Sequence, residues 1–346
     1  MNKKLMLIGS GGKSVHLENY YNLIKDYFDE ILVVTDTHTD VSFCKYVTVG
    51  FSLRDPFQTF KNIRKLRKII KDFSPSIIHV HQANSYTYIT SKANKGKTPQ
   101  VLTTWGSDVL LLPQQGRLFK KIVMYSLTKS DYVTADANFM AEAINKLVKK
   151  DVLIANFGID IENIDIPSKK KFIYSNRLHN PLYRVDKIIE GFSEFKKSNP
   201  DWKLIIGANG SETELLKKLA KDLLPKDSYE FIGFVNQEEN KKRYLEAMIW
   251  ISNPESDGTA ISLLEAMSYG CIPVVSNLPA NKEWINNEEN GIIINDSIAQ
   301  SLEQAKVLPL VKVQKLNQSI IETRATKKVN KEKFISLYNK ILKLND

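Results

Sequence analysis

Short apolar runs, each followed by a polar stretch of helical periodicity, recur along the whole chain. In the first half, Leu5 to Ile8, Ile31 to Thr35, Ser76 to Val80, Val101 to Thr104 and Tyr132 to Ala135 read as five strands. A helix is predicted behind the first of them, over residues 15–27. The pattern restarts after a polar segment, 160–171, that contains Pro167 and the run Lys169-Lys170-Lys171. Phe172 to Ser175, Leu204 to Gly207, Glu230 to Gly233, Trp250 to Asn253 and Ile272 to Val275 form the second set, with helices over 185–198 and 212–223 between them. β-rich runs that alternate with helices predict parallel sheets covered on both faces. The expectation is two doubly wound α/β domains, 1–165 and 166–328, followed by a closing segment, 329–346. That segment is helical over 330–344 and is expected to cross back onto the first domain.

With 346 residues the chain has room for two domains of ordinary size. No apolar run approaches the roughly 18–20 residues of a membrane span. Met1-Asn2-Lys3-Lys4 has the look of a leader, but the apolar stretch behind it ends at a glycine cluster after Ile8. A leader core needs about 7–15 apolar residues, so a cytoplasmic location is expected. Cys44 and Cys271 are the two cysteines, which argues against a disulfide scaffold and against a cysteine-rich zinc site. The formal charge of +10 either favours an anionic partner (nucleic acid, a phospholipid surface, a phosphorylated substrate) or serves solubility alone.

Two turns carry the candidate chemistry. Gly9-Ser10-Gly11-Gly12-Lys13-Ser14 follows the first strand but meets neither phosphate motif. A P-loop needs a glycine where Leu7 stands, and the dinucleotide fingerprint needs a third glycine where Ser14 stands. What remains is a turn that another group can approach closely. The second turn opens the stretch from Ser256 to Met267, with Asp257 and Glu265 eight positions apart. Gly258, Thr259, Ala260 and Ile261 feed a helix start, where backbone N–H groups and the positive dipole end suit a phosphate. Ligands of open parallel sheets bind beyond the carboxyl ends of the strands. Both turns are therefore expected on opposite walls of one cleft between the domains.

On these residues the chain resembles the retaining glycosyltransferases of family 4, which have the GT-B fold. The family carries two glutamates at this spacing, then Ala-Met and Gly-x-Pro-Val-Val. Here Asp257 stands for the first glutamate, and Glu265-Ala266-Met267 followed by Gly270-Cys271-Ile272-Pro273-Val274-Val275 matches the rest. Ser256-Asp257-Gly258-Thr259 is similar to a variant found in bacterial surface-polysaccharide assembly. Ile78-His79-Val80-His81, Thr103 to Asp108, Asn156 to Asp160, Ser175 to Leu178, Pro181 to Asp186 and Phe231 to Val235 resemble further family segments in the family's order. Trp105 stands where the family commonly has a histidine, and Tyr183 where it commonly has a lysine.

The resemblance implies a nucleotide sugar, carried by UDP or GDP, as donor and a glycan or lipid-linked molecule as acceptor. It also implies retention of the anomeric configuration, with the departing phosphate taking the acceptor's proton. Charge separation on glycosyl transfer calls for cations and N–H groups at the diphosphate. Arg177 and Arg184 are the candidates, with the N–H groups of Thr259, Ala260 and Ile261, and a metal ion is then not required. Glu265 is expected to hold ribose hydroxyls, and Asp257 to hold the donor sugar or to cap the helix. Gly11 and Gly12 are expected beside the donor, and the backbone near Phe234 and Val235 beside the base. Asp108 either orients the sugar or caps the turn that follows it. His16 is the acceptor-side candidate. His79 and His81 alternate on a strand, but no third ligand accompanies them and no metal is expected.

Asp55-Pro56 is a strong helix start. Behind it, apolar positions at three- and four-residue steps alternate with Lys61, Arg64, Lys65, Arg67, Lys68 and Lys71. This helix, 57–71, either touches an anionic membrane peripherally at the inner face or packs on the core with a solvated basic face. A nucleic-acid binder lacks support, because no aromatics interleave the basic run. A nucleotide-sugar epimerase on the same architecture stands as the alternative to a transferase.

Overall fold

A computed structural model describes residues 2–11, 14–37, 44–162 and 165–343. The chain divides into two compact units, Met1–Phe157 with Lys327–Asp346, and Gly158–Thr326.

In the first unit the strands are β1 (Lys4–Ile8), β2 (Glu30–Thr35), β3 (Tyr46–Thr48), β4 (Ile77–His81), β5 (Gln100–Thr103), β6 (Tyr132–Ala135) and β7 (Val152–Ile154). They form one parallel sheet in the order β3-β2-β1-β4-β5-β6-β7. Its connecting helices are α1 (Ser14–Ile24), α2 (Pro56–Phe73), α3 (Ser85–Asn94), α4 (Arg117–Lys129) and α5 (Asn138–Leu147). The central strands are covered on both faces, so Leu5 to Ile8 and Ile77 to His81 are buried without interruption. Edge strands β3 and β7 are three residues long and half-buried, too short and too mixed to stand out as apolar runs. Asp55 starts α2 as its sequence predicts: its carboxylate accepts from the N–H groups of Phe57 at 2.8 Å and Gln58 at 3.2 Å.

The second unit repeats the plan with β8 (Lys170–Ser175), β9 (Lys203–Gly207), β10 (Tyr229–Gly233), β11 (Ala247–Ser252), β12 (Ile272–Ser276) and β13 (Ile292–Ile294). The parallel order is β10-β9-β8-β11-β12-β13. The helices are α6 (Val185–Ser198), α7 (Thr213–Leu223), α8 (Gln237–Glu246), α9 (Ile261–Ser268), α10 (Pro279–Lys282), α11 (Ile298–Val307) and α12 (Leu310–Arg324). In each sheet the strand order reverses once, between β1 and β4 and between β8 and β11. Those reversals are where a doubly wound sheet opens a crevice for ligand.

The division falls at Gly158 rather than near residue 165. The N–H of Ile159 donates to the Ala325 carbonyl at 2.8 Å, and Ile159 bridges to Thr326, so the strand entering the second unit is fastened beside the segment leaving it. The polar composition of 160–171 does not mark the boundary; this backbone pairing does. The last helix, α13 (Lys327–Leu342), buries Phe334 and Tyr338 in the first unit's core. Asn330 accepts from the N–H of Asn156 at 3.1 Å, and the Tyr27 hydroxyl donates to Asn339 at 2.6 Å. Among the described residues no helix is long and apolar enough to cross a membrane.

Candidate active site

The switch point of the second unit gathers most of the residues singled out from sequence. Arg177 follows β8 by two positions and Asp257 follows β11 by five. Because β8 and β11 are neighbours, the two loops rise side by side. Arg177 Nη2 meets Asp257 Oδ2 at 2.6 Å, and Arg177 Nη1 donates to Ser262 Oγ at 2.9 Å in the first turn of α9. The guanidinium lies over the Tyr183 ring, 4.4 Å from its centroid. Arg177 is thus a largely buried cation with a fixed orientation. Burial raises the Asp257 carboxyl above its ordinary value, and the Arg177 charge opposes the rise. Asp257 Oδ1 accepts from the Gly258 N–H at 3.0 Å, which fixes the turn before α9. No side chain caps α9 at Ala260.

Glu265 lies one turn further along α9. It accepts from the Tyr244 hydroxyl at 3.0 Å. Burial raises its carboxyl above the ordinary range, and the Tyr244 bond opposes this. The Tyr244 hydroxyl in turn accepts from Asn176 at 2.7 Å. Trp250 donates to Asn176 at 2.9 Å, and the Tyr174 hydroxyl donates to Asn240 at 2.7 Å. This polar network under the carboxylate comes from β8, α8 and β11. Its members are tyrosines, asparagines and a tryptophan inside ordinary strand and helix patterns, so nothing in the sequence marked them. Ser262 was missed for the same reason, although it lies within the turn-and-helix motif.

Arg184 departs from expectation. Its guanidinium donates to the Asn253 carbonyl at 2.9 Å, Asn253 Oδ1 at 3.1 Å and the Pro254 carbonyl at 3.2 Å. It braces the loop that carries Asp257, and those bonds engage Nε and Nη2 of the fork expected at the phosphate. His179, also missed, joins two loops: its ring pairs with Thr213 Oγ1 at 2.9 Å and the Gly207 carbonyl at 3.1 Å. A methyl group on Gly210 would lie 2.2 Å from the His179 carbonyl, so that approach requires glycine. Phe234 is 69% exposed and Val235 half-buried at the carboxyl end of β10. Two strand spacings, roughly 10 Å, separate β10 from β8.

In the first unit the Gly11 N–H donates to Asp36 Oδ1 at 2.9 Å, and the Tyr86 hydroxyl donates to Asp36 Oδ2 at 2.6 Å. The Gly11 amide therefore closes its own loop. Gly12 lies outside the described residues. Asp108 is committed to the backbone of its own unit. It is buried, and it accepts from the N–H groups of Ala83 at 2.6 Å and Trp105 at 3.0 Å. It fastens the loops after β4 and β5 to each other, and the turn around it, Ser107–Leu111, has no side-chain cap. Burial raises its carboxyl, and these backbone bonds hold the rise in check.

Exposed His16 sits 5.1 Å, centroid to centroid, from Trp105, whose indole N–H donates to His81 Nδ1 at 3.1 Å. Burial, assisted by His16, depresses His81 to about 3, so its ring is neutral with the proton on Nε2. His79 is held by Tyr338 at 2.6 Å, Tyr20 at 3.0 Å and Thr103 at 2.7 Å, which commits both ring nitrogens to core hydrogen bonds.

Several known proteins share sequence or fold with this chain. An uncharacterized glycosyltransferase of Haemophilus influenzae is 32% identical over 31% of this chain and 30% of its own length. The N-acetyl-alpha-D-glucosaminyl L-malate synthase of Bacillus anthracis is 24% identical over 80% of this chain and 77% of its own. The GDP-mannose:cellobiosyl-diphosphopolyprenol alpha-mannosyltransferase of Xanthomonas oryzae is 29% identical over 33% of this chain. The match spans under a third of the Haemophilus and Xanthomonas proteins. Among solved structures, Anabaena Alr3699/HepE in complex with UDP superposes with a TM-score of 0.81 at 14% identity, over 98% of this chain and 100% of that one. Residues 4–138 match the Glycosyl transferase 4-like family and residues 157–327 the family of Glycosyl transferases group 1. Together these two matches span both units, and the chain belongs to the glycosyltransferases of the two-domain GT-B class.

Proposed function

We propose that this chain is a retaining, metal-independent glycosyltransferase of the cytoplasm, working in cell-surface polysaccharide assembly. In this reading the second unit holds a nucleotide-diphosphate sugar, UDP or GDP being the carrier, and a hexose-type sugar passes to a glycan or lipid-linked acceptor. One observation carries the reading: Arg177, Asp257, Ser262 and Glu265 converge at the strand-order reversal and along the first two turns of α9.

The chemistry follows from their charges. As the bond from the anomeric carbon to the diphosphate oxygen breaks, negative charge grows on the leaving group. Arg177 and the amino end of α9 stabilise it. The acceptor oxygen bonds to the anomeric carbon, and its proton passes to the departing diphosphate. Asp257 faces the positive charge on the ring, and Glu265 accepts from a vicinal diol of the nucleotide. The UDP complex of the Anabaena fold relative and the GDP-mannose and polyprenol-linked substrates named for the Xanthomonas protein favour this class of donor and acceptor.

The test is a thermal-melt panel of UDP, GDP, ADP and NAD, followed by NMR of the product formed from the stabilising nucleotide's sugars, with and without EDTA. Stabilisation by a nucleoside diphosphate, with retained configuration in EDTA, is expected. Stabilisation by NAD alone, or an inverted product, overturns the proposal.

A further inference from the structure

The positive charge of the chain is concentrated on three helices of the first unit. α2, α3 and α4 pack in sequence and hold eleven lysines and arginines against one acid, Asp72. Their net charge equals that of the whole chain, so the remainder is balanced. Two of the cations serve the fold. Lys65 donates to the Thr48 carbonyl at 2.8 Å, and Arg67 donates to the Lys92 carbonyl at 3.1 Å and to the Ala93 carbonyl at 3.4 Å. Lys61, Arg64, Lys68, Lys120 and Lys121 stand exposed.

Large apolar side chains share this surface. Phe57 is 68% exposed, Phe60 56% and Leu118 67%. Between α2, α3 and α4 runs a groove of about 600 Å³, formed by Ile63, Tyr88, Ile122 and Tyr125 with Lys92 and Lys121 beside them. The Lys61 ammonium lies 4.4 Å from the Phe57 ring centroid, and that of Lys92 4.7 Å from the Tyr125 centroid. A helix that merely solvates its outer face has no reason to hold two phenylalanines in water beside a leucine on the next helix but one. Apolar protrusions ringed by cations fit a surface that is anionic outside and hydrocarbon within. Nucleic acid would use the charge and leave the isoleucines of the groove and Leu118 without an apolar partner.

We infer that this surface docks on an anionic phospholipid bilayer. Phe57, Phe60 and Leu118 enter the boundary between headgroups and acyl chains, while the cations on α2 and α4 meet lipid phosphates. The inference does not rest on the transferase reading, because vesicle binding requires no sugar chemistry.

The experiment is co-sedimentation of the full chain with vesicles of phosphatidylcholine, pure or mixed with phosphatidylglycerol, beside a competition with a duplex oligonucleotide. Binding to the mixed vesicles alone is expected, weakening as salt rises. Lys61→Glu with Lys121→Glu should weaken binding by at least about fivefold for each site. Phe57→Ser with Phe60→Ser should abolish pelleting without altering the melting temperature, since both rings are exposed. If that double variant melts early, the single Leu118→Ser and Lys120→Glu variants take its place. Equal binding to neutral and anionic vesicles, no pelleting, undiminished binding of the variants, or displacement by the oligonucleotide would each overturn the inference.

Discussion

Arg177 and Asp257 meet at 2.6 Å although eighty positions of chain separate them. They come together because β8 and β11 are parallel neighbours, and each residue lies just past the carboxyl end of its strand. The pair is mostly out of water, so removing one member leaves the other uncompensated. Arg177→Ala should lower stability by roughly 2–4 kcal/mol, and Asp257→Asn in that background should restore part of it. Nucleotide binding should not return with it, because the cation proposed for the diphosphate is still missing. Urea melts and nucleotide-induced melting shifts of the single and double variants check this. Recovery of nucleotide binding in the double variant would reduce Arg177 to a partner of Asp257.

Glu265 should set the acid limb of activity. Its ionised form accepts from both hydroxyls of a diol and its protonated form accepts more weakly, so donor binding falls as pH drops. Because burial raises its carboxyl, the fall should begin above about 4.3, where an exposed glutamate titrates. Stability runs the opposite way. A carboxyl raised in the folded state contributes its stability below the unfolded value, and that contribution is lost as pH rises through the folded value. Tyr244→Phe removes the hydroxyl that opposes the rise, so the limb should move to higher pH and the donor KM should increase about tenfold at neutral pH. Profiles of kcat/KM against pH decide: an unmoved limb would detach Tyr244 from Glu265.

The periodic pattern carried the alternation of strands and helices because central parallel strands are buried on both faces and read as continuous apolar runs. It did not reveal β3, β7 or β13. Each is a three-residue edge strand, defined by a neighbour that lies far off in the chain. The site divides in a similar way. Asp257 and Glu265 stood out because a turn feeding an apolar helix is a local signal, and Arg177 because its segment resembles the family's and a diphosphate calls for a cation. Tyr244, Asn176 and Ser262 act through distances that exist only after folding. Arg184 and Asp108 show the converse: a polar residue in a promising loop is as well suited to satisfying backbone groups as to meeting substrate.

Asp108 provides a test of that distinction. Its carboxylate joins the Ala83 and Trp105 amides, so Asp108→Asn should cost roughly 2–3 kcal/mol by replacing one of two buried acceptors with an NH2 donor that faces a backbone N–H. Well below the melting transition, kcat should stay within about tenfold of wild type, as expected for a residue that fastens loops instead of touching the sugar. A drop of several orders of magnitude in kcat, with folding and nucleotide affinity intact, would return Asp108 to the chemistry.

The last helix should be integral to the first unit. Phe334 and Tyr338 of α13 are fully buried against β1 and β4, and the Tyr338 hydroxyl bonds His79 in the centre of the sheet. Phe334→Ala should cost about 3–5 kcal/mol, the range for emptying a phenylalanine site in a packed core. Tyr338→Phe keeps the ring and deletes one partner of a buried imidazole, so it should cost roughly 1–3 kcal/mol. Both losses should appear in amide exchange as faster opening of β1 and β4, while β8 and β11, which belong to the other unit, keep their protection. Accelerated exchange confined to the second unit would contradict the packing of α13.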